Sequence, residues 1–216
     1  MWFNACIMMD ALKHFAKDLL RTAESKVWDC YLNIRSAHKG HGEETLAGVF
    51  NDSHHFEAQS HSGIRKILKE AALQADDVVY VIGCGKGRAL CHFARQSVKK
   101  VIGVEIVPGY AQQALQNLQN LRGRKADFEV KNADACLVDY ADGNVFYFYN
   151  PFGEQSFRHV LAKIQTSIGK SPKPGKLIYV NPVHRKVLDD FPQFKKTANY
   201  MRKSGVGVTI YTFSEA

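Results

Sequence analysis

Three glycines at alternate positions mark the part of this chain best suited to chemistry. In Val81-Ile82-Gly83-Cys84-Gly85-Lys86-Gly87-Arg88 an apolar run stops, the pattern G-x-G-x-G follows, and a helical pattern begins. Glycine is needed where a chain turns sharply and where backbone must approach a ligand with no Cβ in the way. Glu105 closes the next apolar run, 22 residues after Gly83. A carboxylate there can accept hydrogen bonds from the two ribose hydroxyls of an adenosine-containing cofactor. A dinucleotide site wants a small third residue in G-x-G-x-x-G, and that position is Arg88. A nicotinamide-dependent dehydrogenase is therefore only a minor alternative. Cys84 sits within the loop, where its backbone would serve, and no base is visible to activate its thiol.

Alternating strand and helix patterns position these residues. Strands are expected at Asp77–Ile82, Lys100–Val104, Asp127–Lys131, Val145–Tyr149 and Lys176–Val180. Helices are expected at 62–72, 88–96, 108–121 and 154–168, the third with Pro108 at its start, where a missing N–H costs nothing. Val145-Phe146-Tyr147-Phe148-Tyr149 is apolar throughout, as a strand buried on both faces would be. Segments 194–201 and 206–213 read as an antiparallel pair around Ser204-Gly205. The fold class is α/β, a doubly wound and mostly parallel sheet. Ahead of it, Asp10 to Ile34 reads as an amphipathic helix, with Leu12, Phe15, Leu19, Leu20, Ala23, Val27, Tyr31 and Ile34 at three- and four-residue spacings; this stripe would cap the active site, form part of a substrate surface or pack against the main domain. This divides the chain into an N-terminal helical cap, 1–60, and a main domain, 61–216.

With these features in place the sequence resembles the class I S-adenosylmethionine (SAM)-dependent methyltransferases. Val79 to Gly87 looks like their first motif, and Glu105, followed by Ile106, looks like their ribose-binding acid. Asn132-Ala133-Asp134-Ala135 matches the position near the adenine, with Ala133 and Asp134 as contacts. The resemblance implies a Rossmann-like seven-stranded sheet with an antiparallel last strand, and SAM as the cofactor. It also implies that Phe56 or His61, in the stretch before the first strand, folds over the cofactor.

Methyl transfer from a sulfonium needs alignment more than covalent help. The residue ending the fourth strand would lie near the methyl group, and here it is Asn150. Asn150-Pro151-Phe152 is one proline short of the [D/N/S]-P-P-[Y/F/W] motif of amino-group methyltransferases. There the amide and a proline carbonyl bind a planar amino group and the aromatic ring stacks on it. Asn150-Pro151-Phe152-Gly153 also resembles the Asn-x-x-Phe-Gly stretch of non-SET histone-lysine methyltransferases. The resemblance thus implies N-methylation, of a protein lysine ahead of a nucleic-acid amino group. A SAM-binding module without catalysis is the remaining alternative. His184, after the fifth strand, is a candidate base or substrate contact.

The whole chain sets bounds on partners. It has 216 residues, 45% hydrophobic and 23% charged, which excludes a disordered or fibrous protein. No apolar run is long enough to span a membrane, and no signal peptide is expected from the opening residues. Five cysteines, an odd number with no C-x-x-C pair, fit a reducing, cytoplasmic setting. His38-x-x-His41 and His54-His55 lack cysteines at zinc-site spacing, so no metal is expected. Net charge is +8, and Arg158 to Lys203 holds eleven Lys/Arg against two acids, Asp189 and Asp190. That basic third could face an anionic partner.

Overall fold

Seven strands form one sheet in the order β3-β2-β1-β4-β5-β7-β6. The computed structural model describes residues 19–37, 52–54, 58–168, 173–202 and 205–214. The strands are β1 (Val78–Ile82), β2 (Lys100–Glu105), β3 (Asp127–Asn132), β4 (Val145–Tyr149), β5 (Gly175–Val180), β6 (Lys195–Met201) and β7 (Gly207–Phe213). β7 runs antiparallel to both β5 and β6, and the remaining pairs are parallel. This is the expected Rossmann-like sheet, with strand ends within two residues of the sequence reading.

Helix α1 covers 19–32 of the described residues. It is followed by α2 (His61–Glu70), α3 (Arg88–Ala94), α4 (Pro108–Asn120) and α5 (Glu154–Ile168). A 3-10 turn, Arg185–Asp190, follows β5 and was not expected. Period-two alternation along the strands feeds two cores. Val79, Val81, Val145 and Tyr147 pack with Ile64, Ile67, Phe93, Ala114 and Leu118 of α2, α3 and α4. Tyr80, Ile82, Phe146 and Phe148 pack with Phe157, Leu161 and Ile164 of α5. β4 is thus buried on both faces, as its unbroken apolar run requires.

The described part of the 1–60 segment joins this body, since Leu32 and Ile34 lie in the first core. Of the stripe, Ile34 is buried in that core, whereas Leu20 is 71% and Val27 67% exposed, and Leu19 and Tyr31 are exposed too. The helix docks by Trp28, Asp29 and Leu32, because Asp29 has a polar anchor waiting. Its carboxylate accepts from Ser36 N, Ser36 Oγ and Ala37 N at 2.6–2.7 Å and contacts His61 Nε2 at 3.1 Å. The helix stops at Asn33, whose φ of 59° leaves the right-handed region. Residues 10–18 of the expected helix lie outside the described residues. Among the described residues, no helix is long and apolar enough to cross a membrane.

Candidate active site

β1 and β4 are neighbours whose onward connections lead to opposite halves of the sheet. Their carboxyl ends therefore border the crevice where ligands bind in open α/β sheets. The chain leaves β1 through Gly83, at φ 67°, and leaves β4 through Asn150, at φ 40°. The two exits touch: a Cβ on Gly83 would lie 2.3 Å from Pro151 Cβ.

The glycine loop is held from beneath. Gly83 and Cys84 donate their N–H groups to the Val104 carbonyl at 2.9 and 3.0 Å. Gly85 N donates to Glu105 Oε2 at 2.7 Å, and Val107 N to Glu105 Oε1 at 3.0 Å. Glu105 is buried, which pushes its carboxyl above the ordinary range against the pull of Val107, Gly85 and Ile106 N–H groups. Each carboxylate oxygen keeps a lone pair for a further donor. Gly87 has another job: at φ 82° it caps α3, and a Cβ there would lie 3.0 Å from Cα and Cβ of Ala114. The Cys84 thiol is buried and its pKa is pushed well up by desolvation, so it is inert. Ala133 N donates to the Glu105 carbonyl at 3.1 Å, placing the β3 exit beside the β2 exit. Asp134 is half-buried and accepts from Cys136 N at 2.8 Å.

At the β4 exit a second cluster gathers. Tyr179 OH donates to Asn150 Oδ1 at 3.1 Å and accepts from His184 N at 3.3 Å. Asn150 Nδ2 lies 3.2 Å from His54 Nδ1, which is 3.0 Å from the Asn150 carbonyl oxygen. The His54 and His184 rings are 6.3 Å apart. Residues 52–54 form a strap over this exit: His54 N donates to the Pro151 carbonyl, Ser53 bridges Phe152, and Asp52 accepts from Ser156 N and Oγ.

Two expected site residues are placed elsewhere. Phe152 is 8% exposed and its ring joins the second core beside Phe148. It packs rather than presenting a face to a substrate. His61 is fully buried, with one ring nitrogen on Asp29 and the other 2.8 Å from His92 Nε2, so it has no nitrogen left for a cofactor. Phe56 lies outside the described residues. Sequence reasoning passed over His54, taken only as half of a histidine pair, and Tyr179, taken only as a strand residue. Neither has a motif of its own; they meet Asn150 through sheet register and the strap.

A family model described as a methyltransferase domain matches residues 80–163. That segment spans the glycine loop, Glu105 and Asn150. This stretch of the chain is thus similar to a methyltransferase domain. A protein-lysine N-methyltransferase of Saccharolobus islandicus (strain REY15A) is 36% identical over 83 residues, 35% of this chain and 52% of that protein. The chain thus spans about half the length of this curated relative. Among solved structures, an RNA methyltransferase from Salinibacter ruber in complex with S-adenosyl-L-homocysteine (SAH) aligns with TM-score 0.56 and 19% identity. The alignment covers 74% of this chain and 95% of that one. A SAM-dependent methyltransferase from Aquifex aeolicus aligns with TM-score 0.55 and 13% identity, covering 69% and 89%. These likenesses show that the chain shares the fold of these proteins.

Proposed function

We propose that this protein transfers a methyl group from SAM to an amine nitrogen of a protein, a lysine side chain. The observation that carries the reading is Asn150, fixed at the β4 exit against the glycine loop, with His54, Tyr179 and His184 around it. The Asn150-Pro151-Phe152-Gly153 pattern and the likeness to a lysine methyltransferase support the acceptor class.

The residues fit SAM. Glu105 offers free lone pairs at the β2 tip, Gly83 is exposed at the β1 tip, and Ala133, Asp134 and Ile106 flank the adenine side. When bound, SAM supplies a methyl group already activated by a positively charged sulfur. The protein then has to deliver an uncharged amine in line. Tyr179 holds the Asn150 amide with its oxygen inward and its nitrogen beside His54. His54 Nδ1 sits closer to the Asn150 carbonyl than to its amide nitrogen, so we assign the proton to Nδ1. Nε2 then keeps its lone pair and takes the proton that an incoming ammonium must lose. The Pro151 and Asn150 carbonyls offer negative ends to positive charge building on the nitrogen. His184 lies beside His54 as an acceptor contact.

Nucleic acid is the second reading, favoured by exposed Arg185 and Lys186 next to His184. Much of the remaining basic surplus is otherwise used: Arg158 pairs with Asp190 and Glu154, Lys173 with Asp76, and Arg202 with Ser60.

Titration with SAH should show micromolar binding that Glu105→Ala abolishes, which tests the cofactor. Incubation with isotopically labelled SAM and a cell extract tests the acceptor. Methyl-lysine found by mass spectrometry, and absent with Asn150→Ala, is the expected result. Label released by nuclease would move the substrate to nucleic acid, and SAH binding with no label in any fraction would leave a binding module.

A further inference from the structure

Behind the glycine loop lies a buried cation that touches no carboxylate among the described residues. Arg88 begins α3, directly after the glycine loop, and its side chain is buried. Nε donates to Ser36 Oγ at 2.8 Å and Nη1 to the Gln59 carbonyl at 3.0 Å, both neutral oxygens. Nη2 is buried and has no partner among the described residues. The carboxylate that acts on Arg88 most strongly is Asp29, and its oxygens are already taken by Ser36, Ala37 and His61. Burying a charge without a counter-ion is costly, so such a group normally marks a missing partner.

A second orphan lies on the residue that Arg88 holds. Gln59 is buried, its Oε1 accepts from Tyr147 OH, and its Nε2 has no partner among the described residues. Tyr147 is fully buried on β4, next to β1, which fixes Gln59 under the crevice. Both unpaired atoms are donors, and they are joined through one hydrogen bond. Water could satisfy either, but water does not neutralise a guanidinium. A carboxylate does both, since it accepts two N–H bonds and carries the opposite charge.

We propose that Arg88 Nη2 and Gln59 Nε2 receive the α-carboxylate of the methionine portion of SAM. The inference rests on the SAM reading above and adds two residues to it. It also gives Arg88 a reason to stand where dinucleotide sites place a small residue. The guanidinium is the recognition group at the start of α3, and close helix packing is left to Gly87 against Ala114.

Calorimetric titration with two ligands tests this. SAH has the carboxylate; 5′-methylthioadenosine has the same adenosine and sulfur but no amino-acid tail. Arg88→Met should weaken SAH binding by about 10- to 100-fold and leave 5′-methylthioadenosine within about three-fold. Gln59→Glu keeps the acceptor for Tyr147 but replaces the donor with a charge of the wrong sign, and should weaken SAH selectively as well. Retained 5′-methylthioadenosine binding shows that each variant is folded. Equal losses for both ligands, or SAH binding unchanged in both variants, would overturn the assignment. Wild-type protein that binds neither ligand would sink the SAM reading itself and this inference with it.

Discussion

His92 is buried on α3, with Nε2 2.8 Å from His61 Nδ1, and His61 Nε2 in turn meets Asp29. With His61 Nε2–H donated to Asp29 and His92 Nε2–H donated to His61 Nδ1, both rings are satisfied as neutral tautomers when the protein is folded. Desolvation, then His61, Arg95, Arg65 and Arg88, lower the His92 pKa from 6.5 to about 3. Desolvation is also the largest influence on His61 and lowers it, partly offset by Asp29. Unfolded, each histidine protonates near its ordinary value. Between those limits the unfolded chain holds more protons than the folded one. The contribution is therefore complete above pH 6.5 and shrinks as pH falls toward the folded value. For His92 alone, going from about pH 7.5 to about pH 5.0 should remove about 2 kcal/mol. Urea denaturation at both pH values, in wild type and in His92→Gln, measures this. Glutamine keeps an N–H donor for His61 but cannot protonate, so it should lose less stability in acid than wild type does. The difference between the two pH effects should be about 2 kcal/mol, and remote titrating groups cancel from it. A difference below about 0.5 kcal/mol would refute a neutral buried pair.

Two further outcomes follow from the geometry. Gly87→Ala forces a Cβ to 3.0 Å from Ala114 at a φ of 82°, and should cost about 1–3 kcal/mol, read as a lower melting temperature. An unchanged melting temperature would mean that α3 and α4 can move apart freely. Tyr179→Phe frees the Asn150 amide and should lower turnover while leaving SAH affinity within about two-fold, at a stability cost of about 1 kcal/mol. Equal loss of turnover and SAH affinity would show that Tyr179 supports the whole crevice rather than the acceptor side.

What was legible in the sequence tracks what each signal physically reports. β1 and β4 were readable because burial on both faces demands an unbroken apolar run, and they have it. The loop was readable because three positive-φ positions demand glycine. Asn150 also takes a positive φ, and its residue type tolerates it, so the β4 exit was readable as a motif. Phe152 was misplaced because spacing alone does not report which way a ring points.

How α1 packs was left open by its pattern, for the same reason that Arg88 and Gln59 were missed. Periodicity finds the apolar side of a helix and assumes that it is the inner side. Here the inner side carries Asp29, and four hydrogen-bonding contacts to its carboxylate fix the helix more specifically than its leucines could. A buried carboxylate tolerates that position only if its partners are pre-placed, and those partners are Ser36 on the following turn and His61 on α2. Ser36 then holds Arg88, and Arg88 holds the backbone of Gln59. A continuous polar layer thus runs from α1 to the start of α3, just behind the glycine loop. Apolar patterning cannot reveal such a layer, because each member reads singly as a surface residue. Among the described residues its members satisfy one another except at Arg88 Nη2 and Gln59 Nε2. A network complete but for two donors is the form expected where the last partner arrives with the ligand.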